Sequence, residues 1–129
     1  MTDDRRDESA PTVLIIDGYD LVRGSVNRIL ESAGYKAIEV PNMREAPSVC
    51  ALMLAEVVII EVAVPTDRCL ETIRELRRQC PDAAVIAISA DGQTNLDMAK
   101  AAGATDGLAK PFDDVALIDA VTRVWSSRL

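Results

Sequence analysis

Five short apolar runs, each followed by a stretch with helical spacing, constrain this chain more than any other feature. "TVLII" (12–16), "KAIEV" (36–40), the run at 57–61, "AAVIAI" (83–88) and the weaker "TDGLA" (105–109) read as strands. The first intervening helix is expected from about Asp20 to Ala33, because Leu21, Val22, Val26, Ile29, Leu30 and Ala33 recur at three- and four-residue steps. Gly34 stands where a helix stops. A second helix is expected through "REAPSVCALML", with Pro47 tolerated near its first turn. A third runs from about Asp67 to Gln79, and a short fourth, "NLDMAKAA", ends at Gly103. The last runs from about Asp113 to Trp125, with acids in its first turn and Arg123 and Arg128 near its end.

Five strand–helix pairs joined by short loops imply an α/β fold, a single doubly wound parallel sheet with helices on both faces and right-handed crossovers. Residues 12–129 form one expected domain, preceded by a polar, flexible arm over 1–11. Hydrophobic residues make up 49 % of the chain and aromatics only 3 %, so the core is expected to be aliphatic. No apolar run approaches the roughly 18 residues that cross a bilayer, and the N-terminal segment is too polar for a signal peptide. A cytoplasmic protein without membrane association is expected. A net charge of −7 argues against a nucleic-acid-binding surface.

Cys50, Cys69 and Cys80 include no CxxC pair, and the chain has no histidine. That argues against structural zinc and a disulfide framework, and removes Ser-His and Cys-His catalysis. Buried or half-buried thiols are the expectation.

In sheets of this kind, ligands bind beyond the carboxyl ends of the strands. The third run, in "VVIIEVAVP" (57–65), places Glu61 at such an end, and a carboxylate is costly to bury without a partner. Asp17 follows the first strand, Ser89 the fourth and Lys110 the fifth. Two acids, a hydroxyl and an ammonium at one rim suit a divalent cation with a phosphoryl group. Taken singly, a serine after a strand is commonly a turn or cap residue and a lysine is commonly solvated.

The motifs "VLIIDGYDLVR" (13–23), "IIEVAVP" (59–65), "ISA" (88–90) and "AGATDGLAKPF" (102–112) resemble the receiver domains of two-component response regulators, over roughly Thr12 to Trp125. The resemblance implies a flavodoxin-like fold with strand order 2-1-3-4-5 and a cis bond between Lys110 and Pro111. It implies a phosphorelay role, in which a phosphohistidine of a kinase donates to an aspartate at the end of the third strand. That position is Glu61 here. The family's acidic pair corresponds to Asp17 and Gly18, its phosphoryl-contacting hydroxyl to Ser89, its lysine to Lys110 and its switch aromatic to Gly107.

Three of these positions depart from the family pattern, so an atypical pseudo-receiver is expected. Glutamate is longer than aspartate by one methylene, about 1.5 Å, and misplacement by about 1 Å can cost on the order of 100-fold in a transfer step. Glu61 is expected to fill the phosphoryl position and reach Lys110 directly. Gly18 lacks an acid, leaving Asp17 as the one family-type metal ligand, so magnesium binding should be weak or absent and no other cofactor is implied. Asp20 is a weak substitute and better placed as a helix cap. Gly107 cannot act as a rotating ring, and should leave a dent beside the fourth helix.

The leading expectation is a non-enzymatic module acting by protein–protein binding. Its partner would be a sensor kinase or other signalling protein, or a second copy in a homodimer. The fourth helix, fifth strand and fifth helix would supply the surface, with Lys100, Asp106, Leu108 and Arg123. No output domain is expected after the last helix. A slow, magnesium-dependent phosphoacceptor is the first alternative. A flavodoxin-like nucleotide or flavin binder is the second, although "DGYDLVRG" lacks GxGxxG spacing.

Overall fold

The computed structural model describes residues 10–17 and 20–126, with side chains described from Arg23 onward in the first helix. Most of the flexible arm expected over 1–11, Gly18, the capping role of Asp20 and Arg128 therefore lie outside the described residues. In chain order the elements are β1 (Thr12–Ile16), α1 (Asp20–Ser32), β2 (Lys36–Val40), a 3-10 turn (Met43–Glu45), α2 (Ala46–Met53), β3 (Val57–Glu61), α3 (Asp67–Gln79), β4 (Ala84–Ser89), α4 (Gln93–Ala102), β5 (Asp106–Ala109) and α5 (Asp114–Ser126). All strand pairs are parallel, in the order β2-β1-β3-β4-β5, so the strand order reverses between β1 and β3.

Alternation along the central strands divides the core between the two faces. Leu14, Ile16, Val58, Ile60, Val85 and Ala87 face α2, α3 and α4, where Ala46, Cys50, Ile73, Leu76, Leu96 and Ala99 cover them. Val13, Ile15, Val57, Ile59, Ile86 and Ile88 face α1 and α5, covered by Val26, Leu30, Leu117, Ala120, Val121 and Val124. Two-sided burial explains why β1, β3 and β4 carry almost no polar residues. Each buried aliphatic side chain contributes about 1.5–3 kcal/mol, so the aliphatic core holds the sheet with few aromatic rings.

Local chemistry sets the helix ends. Gly34 has φ +92°, and beside it Gly34 N–H donates to Glu31 O and Tyr35 N–H to Leu30 O, closing α1 in a Schellman arrangement. Asp113 Oδ1 accepts from the Ala116 N–H at 2.8 Å and caps α5. The expected helix over 44–54 instead splits into a 3-10 turn and the shorter α2. Pro47 has no N–H to offer Met43 O, so the i→i−4 ladder cannot run through it. Ala46 N–H donates to Met43 O as an i→i−3 bond.

Strand β4 runs one residue past the expected run, because Ser89 pairs with Ala109 and its carbonyl accepts from Lys110 N–H at 2.9 Å. The Lys110–Pro111 bond is cis, as the resemblance implies, and Val64–Pro65 is also cis.

Candidate functional site

The carboxyl edge is built by register. Ile16 lies beside Ile60, Glu61 beside Ile88, and Ser89 beside Ala109, so the residues that end β1, β3, β4 and β5 come out along one rim. Asp17 is buried just past β1 and Ser89 is buried at the end of β4. Glu61 is the last residue of β3, where the buried run reaches the surface.

Lys110 Nζ donates to Glu61 Oε2 at 2.8 Å, with 24 % of the lysine side chain and 15 % of the glutamate side chain exposed. The other oxygen, Oε1, is shut off from solvent with no donor on it among the described residues. Burial pushes the Glu61 carboxyl up, but hydrogen bonding with the Asp17 side chain and with the Lys110 ammonium, together with the lysine charge, outweighs it and holds the group below its ordinary value of 4.5. Glu61 is thus anionic at neutral pH, and its charge is taken up by Lys110.

Ser89 follows a different course. Its Oγ accepts from Asp91 N–H at 3.0 Å and from Asn95 Nδ2 at 3.4 Å, tying the end of β4 to the start of α4. The hydroxyl therefore serves the turn, and no hydrogen bond joins it to Glu61 or Lys110 among the described residues. At Gly107 the expected dent is absent, because Leu96 has closed over it. A Cβ there would stand 3.3–3.5 Å from the Leu96 side chain. Packing removes the space, since protein interiors are close-packed and leave few voids.

Two residues that sequence reasoning missed hold the rim together. Arg23, 7 % exposed, reaches from α1 to donate to Asp17 O at 2.6 Å, and its Nε lies 3.4 Å from Glu39 Oε1 on β2. An arginine among the apolar positions of α1 was the available signal, but nothing local names its partner. Asn95 is the other, buried at the first turn of α4 against Ser89.

Two of the residues expected on a partner surface, Arg123 and Asp106, meet between α5 and β5. Arg123 of α5 donates through Nε and Nη2 to Asp106 Oδ2 on β5, at 3.0 and 2.6 Å. Burial raises the Asp106 carboxyl, and Arg123, the Gly107 N–H and Lys100 more than reverse this, holding it below its ordinary value.

Magnesium is the cation that the fold would imply. Among the described residues no three acids, histidines or cysteines converge to hold a metal ion. The two acids that do meet share their space with an ammonium, which is a poor fit to a hard cation needing several oxygen ligands.

A 2-1-3-4-5 parallel sheet presenting two acids, a hydroxyl and a lysine on one rim defines a receiver-type α/β signalling module. Residues 13–122 match the family described as the response regulator receiver domain, and the chain belongs to that family. It is 32 % identical to the chemotaxis protein CheY of Thermotoga maritima over 114 residues, covering 87 % of this chain and 95 % of that protein. It is 36 % identical over 121 residues to the transcriptional regulatory protein FixJ of Azorhizobium caulinodans, covering 88 % of this chain but only 54 % of FixJ. A solved response regulator from Thermotoga maritima superposes with a TM-score of 0.82 at 29 % identity, covering 91 % of this chain and 98 % of that one. Receiver domains are the signalling modules of two-component systems rather than enzymes in the ordinary sense.

Among the described residues no helix is long and apolar enough to cross a membrane.

Proposed function

We propose that this chain is an atypical receiver in which Glu61 replaces the phosphoacceptor and signalling proceeds by partner binding rather than phosphoryl turnover. The Lys110–Glu61 contact at 2.8 Å carries this reading. In a phosphorylatable site the lysine meets the phosphoryl group; here a carboxylate already holds it. The pair supports a rim permanently occupied by a lysine-paired carboxylate, and a carboxylate with one charge imitates a phosphoryl group only in part. Magnesium would bind weakly or not at all, since Asp17 has no acid beside it at Gly18.

The partner would be a sensor kinase, another signalling protein or a second copy of the chain. The face of α4, β5 and α5, with Lys100, Asp106, Leu108 and Arg123, would receive it. Binding there would respond to Glu61 through β5, which leads directly into Lys110.

The test is intact-mass spectrometry after incubation with magnesium and acetyl phosphate. The natural chain should gain no phosphoryl group, and Glu61→Asp alone should gain little, because position 18 still lacks an acid. The double variant Glu61→Asp, Gly18→Asp should be labelled. Labelling of the natural chain would overturn the proposal and favour a slow phosphoacceptor.

A further inference from the structure

The end of the fold opposite Glu61 carries a pair of thiols that the receiver rim does not use. Cys50 lies in the last turn of α2 and Cys80 caps the carboxyl end of α3. Both line a cleft of about 510 Å3 with Leu54, Glu56, Gln79 and Asp82, at the amino edge of β3 and β4.

Cys80 Sγ sits 3.8 Å from Pro47 O, one turn before Cys50 on the same side of α2. Cys80 packs against the buried cluster that contains Cys50, so the two side chains adjoin at the α2–α3 seam behind the cleft. Cys50 is fully buried, with its sulfur 3.9 Å from Ala55 O, whereas Cys80 is partly exposed to the cleft. Cys69 cannot take part. It lies in the first turn of α3, 11 residues before Cys80 in sequence, which is about 16 Å along a helix. Its sulfur faces Ala63 O instead.

We propose that Cys50 and Cys80 form a redox-modification site, closing to an intramolecular disulfide when the chain meets a peroxide. The partly exposed sulfur reacts first. The Cys80 thiolate attacks one oxygen of hydrogen peroxide, the O–O bond breaks, and hydroxide leaves to give a sulfenic acid. Cys50 sulfur then attacks Cys80 sulfur, forming the S–S bond. The Cys50 proton and the sulfenic hydroxyl depart together as water. In sum, two thiols and one peroxide give one disulfide and two waters, with the sulfurs oxidised and the peroxide reduced.

The order of events follows from environment. Burial and the neighbouring Cys80 push the Cys50 thiol up to about 12, so Cys50 stays protonated and inert until a sulfenic acid forms beside it. The disulfide would close the segment 50–80, which contains β3, Glu61 and α3. It would thus tie both ends of the segment that bears Glu61, and a thiol reductant would release it.

The test uses the full chain, fully reduced and then exposed to hydrogen peroxide. It is denatured, treated with N-ethylmaleimide and weighed intact. The expected product is lighter by two hydrogens before labelling and takes one maleimide, on Cys69. After reduction with dithiothreitol it takes three. Cys69→Ser should still form the disulfide and take none, and digestion should yield one cross-linked peptide pair containing Cys50 and Cys80. Cys50→Ser should instead accumulate oxygen on Cys80. Three maleimides after peroxide, a bridge that includes Cys69, a disulfide between two chains, or added oxygens without the loss of two hydrogens would each overturn the proposal. Labelling of the denatured chain makes every remaining thiol reachable, so the count reports oxidation rather than burial.

Discussion

Replacing Lys110 by methionine isolates what the Glu61 contact contributes. Across 2.8 Å at an effective dielectric of about 20, the gross attraction is roughly 6 kcal/mol, most of it offset by desolvation. Exposed pairs contribute about 0.2–1 kcal/mol, and breaking a fully buried pair costs about 3–5 kcal/mol. With side chains 24 % and 15 % exposed, this pair lies between those limits, so Lys110→Met should cost about 2 kcal/mol at pH 7.

The pH dependence provides the sign. Glu61 is held below its ordinary value in the folded chain, so its contribution is present above about pH 4.5 and is lost as pH falls through the folded value. The difference between the natural chain and Lys110→Met should therefore shrink at pH 3. Urea unfolding at both pH values, with an unchanged slope, measures it. A double-mutant cycle with Glu61→Gln should return a coupling above about 0.5 kcal/mol. A gap of equal size at both pH values, or a coupling near zero, would refute the electrostatic reading of the rim.

The remaining predictions concern the frame around that rim. Arg23→Ala removes a charged donor from the buried Asp17 carbonyl and should cost about 2 kcal/mol in urea unfolding. Gly103 has φ +127°, and a Cβ there would stand 2.5 Å from Arg77 Cγ, so Gly103→Ala should destabilise by about 1–3 kcal/mol, with Arg77 displaced. Arg123→Ala should raise the Asp106 carboxyl toward its ordinary value, read by NMR titration. It should cost under about 1 kcal/mol, because the arginine is mostly exposed. Leu76→Ala, at a fully buried position on α3, should cost about 3 kcal/mol and lower the thermal midpoint without altering the mass-spectrometric phosphorylation result.

The sequence by itself determined the strand–helix alternation, the parallel sheet and the rim positions of Asp17, Glu61, Ser89 and Lys110. These follow from periodicity and from where each apolar run ends, which are local properties. It also located Gly34 and Asp113, because helix ends are written in the residues beside them. The division of the second helix at Pro47 was legible in principle, since the missing N–H is a property of one residue.

What only the tertiary structure decided is which side chains spend their charge or volume on one another. Arg23 is tied to Asp17 and Glu39, Ser89 is bonded to Asn95, and Leu96 closes over Gly107. Cys50 and Cys80 are 30 residues apart in sequence and become neighbours only when α2 and α3 pack on the same face. None of these pairings has a periodic signature, because each depends on distance in the folded chain rather than spacing along it.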